Sequence, residues 1–155
     1  MIRGIGTDII EIARVKRAAD SEAFCRRVYT QAERAYCESR GVQRMASYAA
    51  RFAGKEAVLK ALGTGLRGGT LHDVEILLDE LGAPQVHLSG YFAQLARRRG
   101  VLRVWISLSH SRDYATAQCV KLIFTGQNFI HRAGQVKYHH GIQVMTWNLL
   151  RFMLI

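Results

Sequence analysis

Ile2, Gly4 and Gly6 alternate with Arg3, Ile5 and Thr7, the period-two pattern of a short strand that Asp8 closes. From Glu11 to Ala19 the composition turns helical, and Ser21 is placed to cap a second short helix carrying Phe24 and Val28. Thr30 followed by Glu33 is a capping box, which predicts a helix to about Arg40 with Gly41 as its stop. The strongest helical signal runs from Gln43 to Leu62, where Met45, Tyr48, Ala49, Phe52, Ala53, Val58, Leu59 and Leu62 fall near helical spacing. Gly63 supplies a left-handed stop, and Thr64 to Gly69 is a loop by composition. Asp73 to Leu78 and Gln85 to Leu88 predict two strands joined by a turn. Ser89 is placed to cap a helix ending at Gly100, whose Arg97, Arg98 and Arg99 complement the helix dipole. Leu102 to Leu108 and Tyr114 to Lys121 complete the sheet, separated by the polar turn Ser109-His110-Ser111-Arg112-Asp113. Runs of like elements, rather than strict βα alternation, predict an α+β domain with a mainly antiparallel sheet packed against a long helix.

Residues 122–155 break this style. Gly126, Gly134 and Gly141 punctuate short apolar pieces, and all the acidic residues of the chain lie before Lys121. The expected organisation is therefore a domain over 1–121 and an atypical, poorly ordered C-terminal extension over 122–155. A docking or membrane-touching tail ending in Trp147 to Ile155 is the other reading of that stretch. The length of 155 residues suits one domain with an appendage, and 49% hydrophobic residues with a single proline exclude a disordered chain. No run of apolar residues is long enough for a membrane span, and the N-terminus lacks the zones of a signal peptide. Cys25, Cys37 and Cys119 are an odd number at no metal-ligand spacing, so a reduced, cytoplasmic setting is expected. The net charge of +10 favours an acidic partner: nucleic acid, headgroups, a phosphorylated small molecule or an acidic protein. Charge alone does not choose among them. A nucleic-acid-binding module is one candidate, but acids are interspersed with the basic residues and no recognition motif appears.

The candidate chemistry centres on Asp8 and Glu56. Glu56 and Lys60 stand four apart on one helix face, as do Arg51 and Lys55 on a neighbouring face. Spacing alone favours intrahelical ion pairs worth about 0.2–0.5 kcal/mol each. The other reading adds Asp8: two carboxylates are the usual protein share of a Mg²⁺ site completed by phosphate oxygens, and Lys60 would neutralise phosphate charge. Gly4-Ile5-Gly6 lacks the rest of a dinucleotide fingerprint, and Gly54-Lys55-Glu56 lacks the upstream glycine and hydroxyl of a P-loop. His110 lies in the polar turn, where surface solvation and ligand contact are both open. His139-His140 has no further ligand at zinc spacing.

Three blocks, taken together, resemble the holo-acyl-carrier-protein synthases, the small bacterial 4′-phosphopantetheinyl transferases. They are Gly4-Ile5-Gly6-Thr7-Asp8-Ile9-Ile10-Glu11, then Arg51-Phe52-Ala53-Gly54-Lys55-Glu56-Ala57-Val58-Leu59-Lys60-Ala61-Leu62-Gly63-Thr64-Gly65, then Ser107-Leu108-Ser109-His110-Ser111-Arg112-Asp113-Tyr114-Ala115. The resemblance spans about residues 2–120. It implies that family's α+β fold and transfer of the phosphopantetheine arm of coenzyme A to a serine of apo acyl carrier protein, releasing adenosine 3′,5′-bisphosphate. By the same likeness Asp8 and Glu56 match the Mg²⁺ ligands, and Lys60 matches a lysine near the phosphates. Ser109 and His110 match the nucleotide side, while Arg51, Phe52 and the Gly63-Thr64-Gly65 turn shape the same pocket. Arg14 matches a position on the carrier-docking helix, with Arg17, Arg26 and Arg27 as basic neighbours. The resemblance also implies homotrimers with sites at subunit interfaces. The stretch after Lys121 departs from the family pattern, which leaves an inactive, carrier-binding homologue as an alternative.

Overall fold

In the computed structural model, which describes residues 1–124, the chain opens on β1 (Ile2–Glu11). Three short helices follow: α1 (Ile12–Ala19), α2 (Glu22–Val28) and α3 (Gln31–Glu38). The 19-residue α4 (Arg44–Leu62) then crosses the molecule. Next come β2 (Val74–Leu78), β3 (Pro84–Leu88), α5 (Gly90–Arg98), β4 (Val101–His110) and β5 (Tyr114–Ile123). The strands are all antiparallel, as the runs of like elements predicted. They form two sheets instead of the single one expected: β1-β5-β4, and a separate β2-β3 hairpin.

The helix starts follow the local chemistry. Ser21 accepts from the Phe24 amide, and Thr30 with Glu33 completes both halves of its capping box. Gly63 ends α4 at φ +75°, its N–H donating to the carbonyls of Leu59 and Lys60 at 3.0 Å each. Ser89 occupies the cap position of α5 but makes no capping bond. Asp73, brought in from before β2, accepts from the Tyr91 amide at 3.2 Å instead. A serine in sequence shows the position of a cap; a better acceptor from elsewhere can still take the bond.

The helix α4 lies across one face of the three-stranded sheet. Ala53, Ala57, Val58 and Leu62 pack with Val104, Ile106, Ala117 and Cys119, and the β2-β3 hairpin and α5 close that core with Ile76, Val86 and Phe92. The N-terminal half of α4 contributes Tyr48 to a second cluster, which it shares with Val15, Val28, Tyr29 and Cys37 from the region of the short helices. Two close contacts set the spacing. A Cβ on Gly6 would fall 1.9 Å from the Ala57 carbonyl oxygen, and one on Gly4 would fall 2.2 Å from that of Ala61. The two glycines therefore serve backbone-to-backbone packing of β1 on α4.

Two boundaries move, and both matter for the site. β1 continues past Asp8 to Glu11, because its pairing with β5 persists from Asp8↔Ala117 to Glu11↔Tyr114. Asp8 is thus in mid-strand, and Glu11 caps α1 without starting it. Likewise Ser109 and His110 belong to β4, paired with Thr116 and Ala115, and the turn is confined to 111–113. Polar strand ends read as loop in sequence because nothing local reveals that a neighbour will take their backbone bonds. The last strand also runs to Ile123, and Phe124 donates its amide to Gly100 at 2.9 Å. The expectation for the extension falls on residues 125–155, outside the described residues.

Candidate active site

Asp8 and Glu56 meet where α4 crosses β1. The register puts Gly4, Gly6, Asp8 and Ile10 on the face toward α4, and the glycine contacts let the helix backbone approach that strand. Lys60 Nζ donates to Asp8 Oδ1 at 2.7 Å and to the Thr7 carbonyl at 2.9 Å. Lys60 stays half-exposed at 51%, whereas Asp8 is largely covered at 17%. Glu56, one turn back along α4, shares a cleft wall with Asp8 and Arg14. Burial raises the pKa of the Glu56 carboxyl, the nearby Asp8 charge raises it further, and Lys60 opposes both. The intrahelical Glu56–Lys60 pair that spacing favoured is therefore replaced by a strand-to-helix pair from Lys60 to Asp8.

The cleft has two characters. Its polar edge carries Asp8, Glu56 and Arg14, and its floor is apolar, built by Ile10, Val15, Phe24 and Phe52. Phe24 and Phe52 stack at 6.3 Å between centroids with 24° between planes. A second groove meets Asp8 and Lys60 from the outer side, along Thr116 and Gln118 of β5.

The other predicted residues separate. Gly63, Thr64 and Gly65 form the turn at the end of α4, just past Lys60. Arg51 is buried with its guanidinium 4.1 Å from the Tyr36 ring centroid, and Lys55 is fully buried against Glu33. Neither lies on the helix surface, because α4 is enclosed on most sides. Ser109 and His110 lie on β4, with β5 between them and β1, and they point to opposite faces of the sheet. Within one chain they are not brought to the carboxylates. Arg17 and Arg27 are exposed, and Arg26 binds Glu22 one helical turn away, Nε to Oε1 at 3.0 Å. The three cysteines are unpaired and buried, and burial pushes the Cys37 and Cys119 thiols up to about 12 and raises that of Cys25. None is a candidate nucleophile.

Among the described residues no group of three or more His, Cys, Asp and Glu side chains gathers around one point. The donor set at the site is two carboxylates that repel each other, which suits a hard cation finishing its shell with water and phosphate oxygens. The 4′-phosphopantetheinyl transferase superfamily model matches residues 4–119. The chain belongs to that superfamily. Its transferase relatives include holo-[acyl-carrier-protein] synthases of Ruminiclostridium cellulolyticum, 46% identical over 81% of this chain and 94% of the relative, and of Fusobacterium nucleatum, 46% identical over 79% and 100%. Among solved structures, the synthase of Neisseria meningitidis superposes with a TM-score of 0.73 at 34% identity, covering 79% of this chain and 99% of that one. The Bacillus anthracis synthase, in complex with coenzyme A (3′,5′-ADP), matches with a TM-score of 0.66 at 36% identity over 78% and 96%. The α+β architecture read from the pattern of elements is thus that of a phosphopantetheinyl transferase.

The buried Glu33–Lys55 pair escaped sequence reading. Glu33 had a complete local explanation in its capping box, whereas Lys55 had none, since Arg51 four residues back carries the same charge. The usable signal was the apolar and small company of Lys55, with Ala53, Gly54, Ala57 and Val58 around it.

Proposed function

We propose that this chain is a holo-acyl-carrier-protein synthase that moves 4′-phosphopantetheine from coenzyme A to a serine of apo acyl carrier protein, with Mg²⁺ as its metal. The observation that carries the reading is the convergence of Asp8, Glu56 and Lys60 at the β1–α4 crossing. Asp8 and Glu56 would hold the cation, which when bound would supply charge neutralisation at the pyrophosphate of coenzyme A. Lys60, anchored on Asp8 and half-exposed, reaches the same point and offsets charge on the phosphate oxygens as the transfer proceeds. The serine oxygen bonds to the phosphorus that carries the pantetheine arm, and the phosphorus–oxygen bond to adenosine 3′,5′-bisphosphate breaks. The serine proton passes to Glu56, directly or through a water. The turn at Gly63-Thr64-Gly65 borders the phosphate end, and Phe52 forms part of the apolar floor.

Arg14 sits on the cleft rim, and Arg17, Arg26 and Arg27 extend positive charge along α1 and α2. That surface suits a small acidic carrier protein, which it would steer and orient. Ile5 and Ile9 are exposed on the outer face of β1, an edge strand. This apolar face supports a homotrimer in which Ser109 and His110 of one copy approach the nucleotide side of another copy's site. Three unpaired, buried cysteines support a cytoplasmic setting, and among the described residues no helix is long and apolar enough to cross a membrane. We assign this function to residues 1–121, whose last strand Leu122 and Ile123 complete, with the rest of the chain as an appendage.

The deciding experiment is mass spectrometry of apo carrier protein incubated with the full chain, coenzyme A and Mg²⁺. Conversion to the phosphopantetheinylated form is expected, and Glu56→Gln is expected to remove most of it while circular dichroism stays unchanged. An unmodified carrier protein would overturn the reading, and a fully active Glu56→Gln variant would overturn the metal assignment.

A further inference from the structure

One residue before Glu56, α4 carries a charge with no route to solvent. Lys55 and Glu33 are both fully buried and meet at 2.7 Å, Nζ to Oε2. Both carboxylate oxygens and two of the three ammonium donors have partners. Lys55 Nζ also donates to the Leu71 carbonyl at 2.8 Å. Glu33 Oε2 accepts from the Thr30 amide at 2.9 Å, and Oε1 accepts from the Ile76 amide at 2.8 Å. Thr30 Oγ1 in turn donates to Glu75 at 2.6 Å. Glu33 is thereby tied both to the first turn of α3 and to β2, and Lys55 is the arm that α4 extends to that fixed point.

Other contacts also orient α4: Tyr48 is buried with its hydroxyl donating to Glu38 at 2.8 Å, and a Cβ on Gly54 would meet Ile76. Thirteen of its nineteen residues are buried, and alanine recurs at 46, 49, 50, 53, 57 and 61. The alanine contacts by themselves constrain rotation weakly, since one alanine can be exchanged for another. A buried ammonium does not permit this exchange. Slipping α4 by one residue turns it by about 100° and advances it by about 1.5 Å, which would leave two buried charges unpaired. Gly4 and Gly6 fix how near α4 comes to β1, but a glycine contact to backbone carbonyls leaves the angle open.

We propose that the Glu33–Lys55 ion pair is a positioning device, fixing the rotation of α4 so that Glu56 faces Asp8 at the distance a shared cation needs. The inference rests on the reading of Asp8 and Glu56 as metal ligands. Lys55 and Glu33 are positioning residues that act through Glu56 and touch no reacting atom.

The test uses the full chain with coenzyme A present, and Mn²⁺ as the probe, its free ion counted by electron paramagnetic resonance. The double variant Glu33→Gln/Lys55→Met removes both charges and strands neither. It is expected to unfold cooperatively yet bind Mn²⁺ about tenfold more weakly or worse, the range seen when residues behind metal ligands are changed. Carrier-protein transfer should then recover as Mn²⁺ is raised, splitting metal affinity from kcat. A folded double variant with unaltered Mn²⁺ affinity overturns the proposal, because a pair that served stability alone would move only the melting temperature. Should the double variant not fold, Glu33→Asp keeps the charge and shortens the arm. A smaller rise in the Mn²⁺ dissociation constant is expected, and no change overturns the proposal. If Asp8→Asn and Glu56→Gln leave Mn²⁺ binding unaffected, the metal-ligand reading fails and takes this one with it. If they abolish binding while the double variant binds normally, only the positioning role falls.

Discussion

Lys55 and Lys60 sit five residues apart on one helix and form ion pairs of opposite kinds. Lys60 reaches Asp8 at 2.7 Å with half of its side chain in solvent, whereas Lys55 reaches Glu33 at the same distance with both partners at 0% exposure. Equal length does not mean equal consequence. Water screens the first pair, so the Lys60 ammonium can exchange Asp8 for a phosphate oxygen at little cost. The second pair has lost its solvation and is held by further hydrogen bonds to Leu71, Thr30 and Ile76, so it holds one geometry. The helix thus carries a working cation at its open end and a fixed one within its enclosed stretch.

Breaking the enclosed pair from one side should have the largest effect. Lys55→Met leaves Glu33 buried without its counter-charge, and a loss of about 3–5 kcal/mol is expected in urea unfolding. A loss below about 1 kcal/mol would show that the two pairs are energetically alike. Gly6→Ala comes next, since its new methyl meets the Ala57 carbonyl; overpacking of this kind costs about 1–3 kcal/mol. This variant should also weaken transfer activity beyond its effect on folding, because it widens the β1–α4 spacing that brings Asp8 and Glu56 together. Lys60→Ala should change stability by less than about 1 kcal/mol. Its kcat should nevertheless fall by about 10²–10³, the usual loss when one donor to a developing anion is removed. An unchanged kcat would remove Lys60 from the chemistry. Smallest is Arg26→Ala on the exposed face of α2, with stability expected to stay within about 0.5 kcal/mol. There the readout is the KM for carrier protein, which should rise at low salt and converge on the unaltered value at high salt.

The sequence made the helices legible wherever their signals were local. Ser21 and the Thr30–Glu33 box mark two helix starts, and Gly63 marks the end of α4. Asp8, Glu56 and Lys60 became legible as a set only through the family resemblance, since spacing alone favoured a pair within the helix. What sequence hid was tertiary in origin. Whether Asp8 closed β1 or sat in its middle depended on β5, more than a hundred residues away. The place of His110 depended in the same way on its pairing with Ala115 across the turn. Gly4 and Gly6 looked like a fragment of a nucleotide-binding loop, and only the overlying carbonyls of Ala57 and Ala61 reveal their packing role. The burial of Lys55 against Glu33 and the Leu71 carbonyl is likewise invisible in its local sequence.

The unpaired cysteines bear on the proposed reaction in another way. Coenzyme A ends in a free sulfhydryl, and so does the arm it would deliver, so the protein would work continually beside a nucleophilic sulfur. Mixed disulfides form through the thiolate, and an exposed low-pKa cysteine near the cleft would be captured by oxidised coenzyme A. Here Cys37 and Cys119 are held protonated to about 12, and Cys25 is shifted the same way, inside packed cores. The fold thereby withdraws Cys37 and Cys119 from thiolate exchange, and leaves Cys25, which borders a surface cleft, as the sulfur nearest to it.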